Sequence, residues 1–498
     1  MRYSKNQSFF LIAAISVFIS LGFLPAYAGW SEPMRVWPGG GEWPQIVAQG
    51  DTIHVAAKHI ANNVGDIVYI RSTDCGNSWG QLHFLSGDSC MVEFPRLVVN
   101  GRQVIVLWNT AFDIGYRRYN IGYSVSSNGG STWSTPRYIL NPNALGNLCY
   151  AASGSGTRIN INIYCSLEGD STAFYSIRST NFGQSWFSPQ EIFNAFQSGV
   201  PDQVGVGNFV HFTWDGRFDM AHPWEIRYLR SSDGGINWFP NIIISDSDQI
   251  HSVLTSISAF NPNEVGIAWM DYKYSPYMGT GDIFMRSSSD SGQSWGPERQ
   301  ATFDHFAWNS DIASIGDTNH IIWVDEGTGI AHRSIFYTKS EDNGESWSEP
   351  FWIDRTLDDS ADPAISVSNG RVYVVWGDGR TNPDTTLRSG LYISRFDPEP
   401  DAIHEAENPL PNRLNLAAYP NPFNSTVTIR YSDPNILKIN IYDIQGKLIR
   451  TLKTEGGENG RIIWDATDAL GNRVSSGEYY LKAGPSQGSS GLKILYLK

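Results

Sequence analysis

The sequence predicts an all-β chain: a seven-bladed β-propeller, with six blades as the alternative, followed by a small β-sandwich. Three observations predict it. A Ser-x-Asp-x-Gly-x-x-Trp turn motif recurs at near-constant spacing. Alternating apolar strands of period two fill the intervals. Aromatic residues make up 13% of the chain and glycines number 48, a composition suited to short strands joined by tight turns.

The elements follow in order. Arg2 and Lys5 give a positive start, Phe9 to Leu24 is mostly apolar, and Ala26-Tyr27-Ala28 fits a small-x-small cleavage site. Residues 1–28 are therefore expected to be a cleaved signal peptide. The apolar stretch is short for a bilayer span, and no later segment is long and apolar enough to make one. No membrane span is expected after cleavage.

The propeller is predicted over 29–397. Its boxes are Ser72-Thr-Asp74-Cys-Gly76-Asn-Ser-Trp79, Ser126-Ser-Asn128-Gly-Gly130-Ser-Thr-Trp133, Ser179-Thr-Asn181-Phe-Gly183-Gln-Ser-Trp186, Ser231-Ser-Asp233-Gly-Gly235-Ile-Asn-Trp238, Ser288-Ser-Asp290-Ser-Gly292-Gln-Ser-Trp295 and Ser340-Glu-Asp342-Asn-Gly344-Glu-Ser-Trp347. Asp or Asn accepts backbone N–H groups two or three residues on, Gly permits a positive φ, and Trp folds back on the turn. Asn serves as well as Asp because the acceptor matters rather than the charge. Asp74, Asn128, Asn181, Asp233, Asp290 and Asp342 are thus assigned to architecture. Between boxes, strands such as Val265-Gly-Ile-Ala-Trp269-Met-Asp271 and Val372-Tyr-Val-Val-Trp376-Gly-Asp378 complete four strands per unit. Trp30-Ser-Glu-Pro33 matches Trp347-Ser-Glu-Pro350, so the N-terminal stretch is expected to supply the missing outer strand of the last unit.

These boxes resemble the Asp-box (BNR) repeats of the sialidase-like propeller superfamily over residues 30–397. The resemblance implies the fold more than the activity, since that superfamily spans sialidases, other glycosidases and lectins. Sialidases carry an early Phe/Tyr-Arg-Ile-Pro motif. The nearest segment here, Glu93-Phe-Pro-Arg-Leu97, has a different order, and no sialidase hallmark set is found.

Asp397 to Pro411 is Pro-rich and acidic, and 398–415 is taken as a linker. Beyond it, Tyr419-Pro-Asn-Pro-Phe-Asn424, Tyr442-Asp-x-x-Gly446, Trp464-Asp465 and Ser476-Gly-Glu-Tyr-Tyr480 punctuate short alternating strands. This pattern, over 416–498, resembles a flagellar-hook-capping-type Ig-like domain and is similar to C-terminal sorting domains of type IX secretion cargo. The resemblance implies secretion machinery as a partner and a secreted or outer cell-surface location.

Acidic residues outnumber basic ones, 50 to 36, for a net charge of −14, which argues against nucleic acid or an anionic membrane. Cys75, Cys90, Cys149 and Cys165 lack zinc-site spacing, and of their pairings a bridge between Cys149 and Cys165 across a predicted hairpin is favoured. No metal ligand set or cofactor is evident. A structural calcium site made of turn carbonyls would leave no trace.

Propellers bind ligands on the axis, at the rim opposite the boxes. Residues just past the second strands are the candidates: Asp215, Arg217, Asp271, Tyr272, Asp325, Glu326, Asp378 and Arg380. The starts of first strands add Glu42, Trp43, Glu93, Arg96, Asp202, His251, Asp311 and Asp362. Converging carboxylates are the chemistry of glycosidic bond cleavage, and arginines the chemistry of anionic sugars. Yet recurrence of Trp-x-Asp in several blades favours architecture, because a catalytic residue needs to occur once. The leading expectation is recognition of extracellular glycans. The alternatives are a glycoside hydrolase or polysaccharide lyase acting at the axis, and a non-catalytic protein-binding scaffold.

Overall fold

The computed structural model describes residues 29–498 except 62–63, 88–90, 114–117, 140–147, 167–171, 196, 275–280, 304–305, 327–332, 355–358, 379–389, 398–415, 420–422, 432–437, 445, 455–459 and 484–489. The predicted signal peptide, the linker, Cys90 and Arg380 lie outside the described residues. The chain separates into two compact units, Met1–Pro400 and Asp401–Lys498. No helix is present among the described residues.

The first unit opens with β1 (Met34–Trp37), β2 (Glu42–Gln49), β3 (Thr52–Ala61), β4 (Val64–Ser72) and β5 (His83–Phe84). β2 to β5 form sheet 1, and six more antiparallel sheets follow, numbered here in chain order. Their innermost strands are Met91–Asn100, Leu148–Ser155, Asp202–Val206, Ser252–Ala259, Ala307–Ile315 and Ser360–Ser368. These pack in succession, and the last packs on β2, so the seven sheets close into a ring. β1 belongs to sheet 7, paired antiparallel with Gly390–Phe396 so that Met34 faces Ile393. This is the closure that the matching Trp-Ser-Glu-Pro stretches predict.

Burial explains the ring. Each gap between neighbouring sheets holds an apolar cluster of β-branched and aromatic side chains. At the closure, Ile53 and Val55 of sheet 1 meet Tyr373 and Val375 of sheet 7. Each such side chain fully buried stabilises by roughly 1.5–3 kcal/mol, which a lone sheet with two wet faces would forgo.

The boxes are tight hydrogen-bonded turns on the rim between third and fourth strands. In all six, the Ser hydroxyl donates to Oδ1 of the Asp or Asn two residues on, at 2.7–2.9 Å. The same Oδ1 accepts the N–H four residues further on, at 2.8–2.9 Å. Asn128 and Asn181 use the carbonyl half of their amide identically. Gly292, with φ +73°, has a second duty: a Cβ there would overlap the Tyr228 hydroxyl of the preceding sheet.

The second unit has two antiparallel sheets. Leu416–Tyr419, Val427–Tyr431 and Gly460–Trp464 form one; Leu448–Lys453, Lys438–Asp443, Gly477–Ala483 and Ser490–Tyr496 form the other. Both contribute to one core around Phe423, Ile429, Ile441, Trp464, Leu481 and Tyr496. Trp464 Nε1–H donates to Thr467 O at 2.8 Å, so the buried indole is satisfied.

Candidate ligand site at the ring axis

The innermost strands share a device. In five of them the register slips at one point: Glu42/Gln45, Glu93/Arg96, Val253/Ser256, Trp308/Asp311 and Ala361/Ala364. Within each slip one non-glycine residue takes a positive φ: Trp43 48°, Phe94 51°, Leu254 55°, Asn309 51° and Asp362 51°. A left-handed side-chain residue costs on the order of 1 kcal/mol, and such strain persists only where the surroundings enforce it. Pro44, Pro95 and Pro363 follow three of these residues, at bulges where a strand tolerates a missing N–H. Sheet 4 instead breaks its inner strand between Gln197–Ser198 and Asp202–Val206.

The residues just after these irregularities include Arg96, Asp202 and Asp311. Asp202 Oδ2 accepts Ile257 N–H of the next sheet at 3.0 Å. Asp311 Oδ2 accepts Ile365 N–H of its next sheet at 3.0 Å, and Oδ1 accepts Ile312 N–H at 2.9 Å. Burial pushes the Asp311 carboxyl up to about 7, the charge of Asp202 adds to the rise, and Arg96 opposes it. Burial raises Asp202 too, again against Arg96. The three groups therefore sense one another through space. Arg96 lies 5.7 Å from the Tyr150 ring centroid, and its buried Nε has no hydrogen-bond partner.

Beside this cluster stands an aromatic platform. The Trp43 and Phe94 rings stack at 4.3 Å. Lys58 Nζ lies 4.6 Å from the Trp43 ring centroid, with Glu42 at 3.5 Å and Glu93 at 4.0 Å. Tyr150 donates its hydroxyl to Phe94 O at 2.9 Å, joining platform and charged cluster. Lys58, Phe94 and Tyr150 carry no repeating motif, and the sequence reading passes over them.

The residues past the second strands divide. Asp271 accepts Ser252 Oγ–H at 2.7 Å, Trp269 Nε1–H at 3.3 Å and Lys273 N–H at 2.8 Å. Asp378 accepts Trp376 Nε1–H at 3.1 Å and Ser360 Oγ–H at 3.3 Å, and Asp325 accepts Trp323 Nε1–H at 3.3 Å. All three are buried. They brace the tryptophan two residues before them, which is why Trp-x-Asp recurs. Asp215 departs from the pattern: it follows Trp214 directly, packs against Gly199, and leaves Oδ1 without a partner. Burial pushes its carboxyl up to about 7. Arg217 is held by Gln197 Oε1 at 2.7 Å and lies 5.4 Å from the Trp224 ring centroid. Glu326 is exposed, and the Tyr272 ring stands edge-on to His251 at 6.3 Å.

Three buried histidines are tied to tyrosines. His54, His211 and His320 pair with Tyr69, Tyr228 and Tyr337 at 2.6, 2.6 and 2.8 Å, and burial lowers each histidine to about 4. Cys149 pairs with Tyr164 and Cys165 with Leu148, so the two cysteines stand one residue out of step rather than directly opposite. The side chains of Cys149 and Cys165 lie outside the described residues. No group of three or more His, Cys, Asp or Glu able to hold a metal occurs among the described residues.

Residues 417–495 match the family model of the secretion system C-terminal sorting domain. The C-terminal unit is a sorting domain. It marks type IX secretion, which places the protein outside the cell or at its surface. No curated protein matches the chain. Among solved structures, polysaccharide lyase Uly1 is 8% identical with a TM-score of 0.52, over 74% of this chain and 99% of that one. An ulvan lyase of family PL25, bound to -[GlcA(1-4)Rha3S]-, is 9% identical with a TM-score of 0.50, over 72% of this chain and 94% of that one. The Hadza microbial sialidase Hz136 is 15% identical with a TM-score of 0.42; the match covers 57% of this chain and 63% of that sialidase, less than two thirds of its length. At these identities the likeness is one of fold.

Proposed function

We propose that the first unit is a seven-bladed propeller that recognises an extracellular glycan at its axial mouth, and that the C-terminal unit is an Ig-like module read by the secretion machinery. The observation that carries this reading is the Trp43–Phe94 stack at 4.3 Å, adjoining Arg96, Asp202 and Asp311. A flat aromatic face takes the apolar side of a sugar ring, while carboxyls and a guanidinium take its hydroxyl or acid groups. Strained bulges hold that platform, so it is rigid before any ligand arrives.

A hydrolytic reading has one observation in its favour. Asp311, pushed up to about 7 by burial, is a carboxyl protonated near neutrality, the state a general acid for a glycosidic bond needs, although burial raises its neighbour Asp202 in the same direction. One experiment separates the readings. The secreted protein is incubated with neutral, uronate-containing and sialylated polysaccharides, and retention, reducing ends and unsaturated products are read together. Retention that falls about tenfold in Trp43→Ala, roughly 1.4 kcal/mol, supports recognition at the mouth. Cleavage lost in Asp311→Asn, with the fold intact by melting, makes the protein an enzyme. Neither signal leaves the protein-binding scaffold.

A further inference from the structure

The opposite rim carries a second cavity that owes nothing to the axis. It lies between sheets 5 and 6, has a volume of about 330 Å³, and is walled by Ser287, Trp295, Ser314, Asp317, Asn319 and Asn343. One wall is a short residue at a position of the repeat that is mostly basic. The residue before the box Ser is Arg71, Arg178, Arg230 or Lys339 in four of the six boxes, but Val125 in sheet 2 and Ser287 in sheet 5. In sheets 1 and 3 that side chain lies over the box of the following sheet. Arg71 reaches Gly129 O and, at 2.8 Å, Ser131 Oγ. Arg178 Cδ lies 3.3 Å from where a Cβ on Gly235 would stand. At ring closure Arg395 does the same, donating to Cys75 O at 2.6 Å and Asn77 Oδ1 at 2.9 Å. Ser287 is too short to cross, and the crevice between sheets 5 and 6 stays open.

What lines it selects the ligand. The described lining residues include no Lys or Arg, which disfavours an anion. Hydroxyl, amide and carboxylate groups dominate, with the Trp295 indole forming one wall. Several are pre-set: Asn343 Nδ2–H donates to Asp317 Oδ1 at 2.6 Å, and Ser314 Oγ–H donates to Asn319 Oδ1 at 2.7 Å. A volume of that size suits a small ligand, and an array of acceptors against an aromatic wall suits an uncharged polyol. We propose that the sheet 5–sheet 6 cavity is a second, box-rim binding site for a neutral sugar unit. It is independent of the axial reading, and a chain using both rims would hold a polysaccharide by two contacts.

The test uses the full secreted chain and saturation-transfer NMR with two probe sets: neutral mono- and disaccharides, and uronate disaccharides. Expected are contacts from a neutral saccharide that weaken at least tenfold in Ser287→Arg and that persist in Trp43→Ala, where only the axial contribution is lost. Ser287→Arg imports what sheets 1, 3 and 4 already accommodate. Asn343→Gly, at a φ of 57° that glycine adopts freely, is the second variant and should weaken binding several-fold. Binding unaffected by both variants, binding of uronates alone, binding lost only in Trp43→Ala, or no saccharide contact at all would each overturn the site.

Discussion

At the scale of the residue, one glycine answers two demands at once. Gly292 needs a positive φ, and it needs to leave room for Tyr228, whose hydroxyl bonds His211 at 2.6 Å. Gly292→Ala should therefore destabilise by about 2–3 kcal/mol, combining backbone strain with overpacking. The two causes separate in a double-mutant cycle read by urea unfolding. Removing the hydroxyl by Tyr228→Phe costs stability by itself, because His211 loses its partner. In the Gly292→Ala background the same change relieves the clash, so the double variant should be more stable than the sum of the singles. Strict additivity would mean that φ alone makes the position glycine.

At the scale of the element, β1 is the piece that turns a chain of sheets into a ring. Its anchor is Trp30, buried and in contact with Tyr337 at 5.0 Å, Phe396 at 5.7 Å and Phe351 at 5.9 Å. Trp30→Ala should cost about 3–5 kcal/mol, the range for a large aromatic removed from a core. Hydrogen exchange should show the loss first in sheets 6 and 7, whose seam Trp30 fills, whereas a loss spread evenly would mean the ring does not depend on this seam. This closure was legible in the sequence because the same four residues occur at both ends of the repeat. The boxes were legible for a related reason: each motif residue serves its own turn, so short-range spacing carries the whole signal. The axial site was only half legible. Arg96, Asp202 and Asp311 stand at strand starts, where the reading looked, but the ring brings them together across more than two hundred residues. Asp271, Asp325 and Asp378 stand at equally promising positions and accept hydrogen bonds from the indoles of Trp269, Trp323 and Trp376, which spacing alone does not show.

At the scale of the whole molecule, buried titratable groups set opposing pH dependences. Burial raises Asp215, Asp311 and Asp354 to about 7, so between about pH 4 and 7 the folded chain holds protons that the unfolded chain has released. Taken alone, these groups make stability fall as pH rises through that window. His54, His211 and His320 are lowered to about 4, so between about pH 4 and 6.5 the unfolded chain holds protons that the folded chain refuses. Taken alone, the histidines make stability rise with pH. Burial raises Asp202 and Glu225 as well and lowers His83, so the carboxyls outnumber the histidines and the expected curve falls gently from about pH 4 to 7. Below pH 4 the box carboxylates take over: hydrogen bonds hold Asp74, Asp290 and Asp342 at about 2, and their contribution is lost as pH falls through that value. Removing one carboxyl should tilt that curve upward. In Asp311→Asn the folded chain binds one proton fewer, so its slope with pH should exceed the wild type's by up to about 1.4 kcal/mol per unit. Urea unfolding at fixed ionic strength between pH 4 and 7 reads that slope directly. A wild-type curve that falls as steeply as the carboxyls alone require would mean that the histidines are not kept neutral by their burial against tyrosine. A tilt absent from Asp311→Asn would mean that the axial carboxyl is ionised at neutral pH, removing the acid on which the hydrolytic reading depends.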